Sequence, residues 1–88
     1  MSHLIDVSNT LAEVQIALGA AWERSQLAVT QAQLAHQAAQ QLGAAGLVTN
    51  AEELQRELLV VQQKISEADQ SAAIAVNSAS ELAAGAPA

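Results

Sequence analysis

Two series of small and branched side chains run along the halves of this 88-residue chain and mirror each other about one point. Leu11, Val14, Leu18, Ala21, Ser25, Ala28, Ala32, Ala35 and Ala39 climb in alternating steps of three and four. Leu82, Ala79, Ala75, Ala72, Ala68, Ile65, Val61, Leu58 and Leu54 descend by the same steps, so that each pair of positions sums to 93. Steps of three and four mark one face of an α-helix. A mirrored pair of such faces predicts a helix that turns back on itself. Read as a seam, the pairs set Ala39, Ala35, Ala32 and Ala28 against Leu54, Leu58, Val61 and Ile65, and Leu18 and Val14 against Ala75 and Ala79. Large against small in six of the nine layers holds two helices at a nearly constant separation, whereas a parallel pairing stacks bulk on bulk at one end. The expected fold is all-α, an antiparallel two-helix hairpin built as an alanine-rich coiled coil.

The helix ends are read from capping residues. Thr10-Leu11-Ala12-Glu13 has capping-box spacing and predicts a first helix over about residues 9–45. Gly46 suits the left-handed position beyond that helix, with Leu47 folding back onto Leu42, so the turn is expected at about 46–49. Thr49 and Asn50 then open a second helix over about 50–84, with Glu52, Glu53 and Glu57 near its positive end. Residues 1–84 are thus expected to form a single hairpin and 85–88 a flexible tail. Gly19 is the one glycine inside the helical pattern, at a cost of about 1 kcal/mol relative to alanine.

Composition narrows the chemistry. Cysteine, tyrosine and phenylalanine are absent and Trp22 is the sole aromatic residue, so neither a disulfide nor a thiolate metal site is available. The formal charge of −6, with Arg24, Arg56 and Lys64 scattered singly, argues against nucleic acid and against adsorption to anionic membranes. The longest apolar run, Ala72 to Val76, is far short of the roughly 20 residues of a membrane span, so no stable membrane insertion is expected. Met1 to Asp6 do not resemble a general secretory signal, which favours a cytoplasmic protein or one exported by a leaderless route. His3 and His36 are far apart in sequence and sit in no metal-ligand spacing, and no cofactor is expected. Ser25 interrupts the alanine seam and suits a hydroxyl that bonds back to the carbonyl one turn earlier. No enzymatic constellation is present in the sequence.

A second set of apolar residues lies beside the seam. Ala20, Leu27 and Leu34, with Val60 and Ile74, form one expected flank; Trp22 and Val29, with Leu59, Ala73 and Val76, form the other. One hairpin cannot cover both flanks. The expectation is therefore an interaction module that pairs with itself or with a related hairpin into a dimeric or larger four-helix bundle. Trp22 suits either packing or anchoring at such an interface.

A short, acidic, cysteine-free helical hairpin without a leader resembles the WXG100 (ESAT-6-like) group of type VII secretion proteins. That resemblance covers the whole chain as architecture. It implies a homo- or heterodimeric four-helix bundle and a role as a small secretion substrate or chaperone. The motifs differ: Trp22 is followed by Glu23-Arg24, the turn region Gly43 to Val48 contains no tryptophan, and a tyrosine-based export signal would have to come from a partner chain.

Overall fold

The fold is taken from a computed structural model that describes residues 3–85. It is the expected all-α antiparallel hairpin. Helix α1 spans His3–Leu42 and helix α2 spans Ala45–Gly85, with Gly43 and Ala44 alone between them. At 1.5 Å per residue each helix is about 60 Å long, and the whole is a rod of 70 × 14 × 12 Å.

The turn lies three residues earlier than the sequence pattern suggests. Gly43 carries the left-handed conformation, with φ of 70°. Its amide donates to the carbonyl of Gln40 (3.1 Å), and the amide of Ala44 donates to the carbonyl of Ala39 (3.1 Å). These two bonds make a complete Schellman motif that satisfies the last carbonyls of α1. Ala44 serves both helices, because its carbonyl accepts the first bond of α2 from the amide of Val48 (3.0 Å). Gly46, expected in the left-handed position, lies inside α2.

Other expected boundaries shift with it. Thr10 does not begin α1; its hydroxyl donates to the carbonyl of Asp6 (2.9 Å), and the helix continues back to His3 because no glycine or proline interrupts it. Thr49 likewise donates to the carbonyl of Ala45 (3.1 Å) within α2 and does not cap it. With α2 starting at Ala45, its first turn holds no acidic residue, so Glu52, Glu53 and Glu57 lie beyond the reach of the helix terminus. Gly85 belongs to α2; the rest of the expected tail, 86–88, lies outside the described residues.

Moving the turn moves the register. A pivot between residues 43 and 44 pairs positions that sum to 87 in place of 93. The protected residues follow that rule. Ala39 and Val48, Ala32 and Gln55, Val29 and Leu58, Ser25 and Gln62, Gln15 and Ala72, Leu11 and Val76, and Ser8 and Ala79 are all buried or half-buried. Contact across the helices agrees, since Nε2 of His36 lies 3.4 Å from Oε1 of Glu52. Ser25, Ala32, Ala39, Ala72 and Ala79 therefore occupy the seam as expected, and Ala51 is buried with them. The intervening seam positions belong to Gln62 and its equivalents. Gln62 is 8% exposed, while Leu54 and Val61, expected in the seam, are 46% and 45% exposed. The seam hydroxyl of Ser25 donates to the carbonyl of Trp22 (2.6 Å), as its position suggests.

Candidate interaction surface

Two helices lying side by side form a slab with two broad faces and two outer edges. The register decides what each broad face displays. One face carries Val7, Val14, Ala21, Ala28, Ala35 and Leu42 from α1 beside Leu47, Leu54, Val61, Ala68, Ala75 and Leu82 from α2. All twelve are apolar, recur every seven residues, and sit one position from the seam on its N-terminal side. The larger side chains among them, Val7, Val14, Leu42, Leu47, Leu54, Val61 and Leu82, are exposed. Midway along this face is an open groove of about 530 Å³ lined by Ala17, Ala20, Ala21, Arg24, Ser25, Leu58, Val61 and Ile65. The groove exists because alanines 17, 20 and 21 leave room beside the longer Leu58, Val61 and Ile65.

The opposite broad face is mixed, with Ile5, Ala12, Leu59 and Ala73 interspersed among polar residues. It presents Gln26, Gln33 and Gln40 from α1 and Glu52, Ser66 and Ser80 from α2, with the His36–Glu52 contact across the seam. A smaller cleft of about 250 Å³ opens there between Leu18, Gly19, Trp22, Ile65, Ser66 and Asp69. The indole forms one of its walls. His36 is thus a half-buried seam residue.

The residues expected to form two interaction flanks are distributed differently. Leu27, Leu34, Val60 and Ile74 are exposed, and Ala20 with them, but they lie on the outer edges, where the edge of α1 points away from that of α2. They form no common surface within one hairpin. Val29 and Val76 are half-buried in the seam, and Trp22 borders it at 38% exposure. Leu59 is exposed among the polar residues of the second face. The continuous apolar surface instead consists mostly of residues that the sequence pattern assigns to the seam itself, among them Val14, Ala21, Ala28, Leu54, Val61 and Leu82.

Charge is segregated in the same way. Stripes flanking the apolar face hold Arg24 on α1 and Glu57 and Lys64 on α2. The other acidic residues, Asp6, Glu13, Glu23, Glu52, Glu53, Glu67, Asp69 and Glu81, lie on the outer edges or toward the second face. Among the described residues no three of His, Asp and Glu gather as a metal site, and no helix is long and apolar enough to cross a membrane. Comparison of the chain with protein-family models, with curated proteins and with solved structures returned no match.

Proposed function

We propose that the chain is a non-enzymatic association module whose working form is an assembly of hairpins, a four-helix bundle in the simplest case. The observation that supports this reading is the surface left uncovered. The hairpin exposes 6315 Å². A compact monomer of 9.1 kDa exposes about 4,900 Å² by the usual scaling of surface with mass. No described side chain falls below 2% exposure, and the residues that come nearest to being buried are mostly alanines. Such a seam removes little apolar area from water, while some eighty ordered residues carry the full entropic cost of folding. Covering the apolar broad face supplies what the seam lacks.

Thermal unfolding followed by circular dichroism over a hundredfold range of concentration tests the proposal. Linkage of folding to association raises Tm with concentration. A Tm independent of concentration, together with a fully helical species of 9.1 kDa, contradicts it.

A further inference from the structure

We infer that the apolar broad face is covered by a second copy of this chain, lying antiparallel, with Glu57 of each copy opposite Lys64 of the other. The inference rests on the association reading above and adds to it the surface, the occupant and the register.

Charge gives the occupant. At −6 per chain, two copies repel unless their acidic groups stay away from the contact. Eight of the nine acidic residues do so, and the exception, Glu57, shares its stripe with Lys64. These two residues stand four positions before and three positions after Val61, on the rim of the face that Val61 occupies. They are therefore about 10 Å apart along the helix axis. A twofold axis passing near Val61 apposes the two α2 helices antiparallel and brings each carboxylate to the other copy's ammonium. Lys64 already touches Glu67 of its own helix at 3.8 Å, a contact between exposed groups that leaves Nζ open to a further acceptor.

Packing favours the same axis. It lays Leu54 over Ala68 of the second copy and Ala68 over Leu54, with Val61 on Val61 between them. In the hairpin register residues 24–31 of α1 lie level with 56–63 of α2, so the axis passes α1 level with Gln26, and the two Arg24 side chains stand about 6 Å apart along the rod, a single like-charge pair beside the two Glu57–Lys64 attractions. The alternative, with both turns at one end, sets Arg24 of each copy against Lys64 of the other. The area suffices as well. A face 70 Å long and 14 Å wide offers roughly 1,000 Å², above the about 800 Å² per partner of a standard interface.

The test is a charge exchange on the full chain, read as the dissociation constant by sedimentation equilibrium. Glu57→Lys and Lys64→Glu should each weaken self-association about tenfold, because two symmetric attractions become repulsions. The double variant should return to the wild-type value. An equimolar mixture of the two single variants should associate more tightly than either alone. Val61→Asp should abolish association. If the wild type associates but both single exchanges leave its dissociation constant unchanged, or if the double variant is weaker than either, this docking mode is wrong while the association reading stands. A wild type that never associates defeats both.

Discussion

Gly43 and Gly46 stand three residues apart, and the conformation of the first decides the register of everything else. Only Gly43 adopts positive φ, and an added Cβ would meet nothing within 4 Å at either site. Gly43→Ala therefore introduces backbone strain without a clash and should destabilise the protein by about 1–2 kcal/mol. Gly46→Ala replaces a helical glycine and should stabilise it by about 0.5 kcal/mol. Denaturant unfolding of the two variants checks the pair, and a turn centred on Gly46 would reverse both signs. A second residue-scale prediction concerns Gln62. Its Nε2 is buried without a hydrogen-bond partner, in the layer where Ser25 has already donated its proton to Trp22. Gln62→Met keeps the side-chain length and removes the orphaned amide, so it should stabilise the hairpin by about 1 kcal/mol. A loss of stability would mean that the amide finds a partner.

At the scale of the helices, the register is open to direct chemistry. In the 87 register Ser25 lies level with Gln62, whereas the mirror pattern of the sequence places it opposite Ala68, about 9 Å further along α2. The variant Ser25→Cys/Gln62→Cys should form an intramolecular disulfide on mild oxidation, and Ser25→Cys/Ala68→Cys should not. Preferential oxidation of the second pair would restore the 93 register. Much at this scale is legible in the sequence. Both helices, their antiparallel pairing and the repeat through Leu11, Leu18, Ser25, Ala32 and Ala39 follow from spacing alone. The pivot does not, because two glycines at adjacent helical turns are equally good candidates for a left-handed cap. The seam's second column is ambiguous for a related reason. Val14, Leu54 and Val61 flank the repeat on one side and Gln15, Gln55 and Gln62 on the other, and hydrophobicity alone selects the wrong side. The interaction surface is hidden as a consequence, since the mirror pattern assigns most of the residues that form it to the seam. The signal that reveals it is the two-residue turn, which the complete Schellman spacing from Ala39 to Ala44 allows.

For the whole molecule, a rod 70 Å long and only 14 × 12 Å across has too little interior to be covered by its own side chains. Its apolar face and its edges then predict different things. Leu27→Asp and Leu34→Asp alter the outer edge of α1 and should change the dissociation constant by less than about threefold, whereas Leu54→Asp should raise it by at least about a hundredfold. Equal sensitivity at edge and face would point to an assembly that wraps the hairpin from the side. Whether the hairpin is half of an assembly closed over its apolar face is tested most directly by molar mass from light scattering, on the purified chain beside Val61→Asp. The wild type should show twice 9.1 kDa or a higher multiple at micromolar concentration, and the variant a single-chain mass. A wild-type mass of 9.1 kDa with full helicity, or a variant that stays assembled, would contradict that closure.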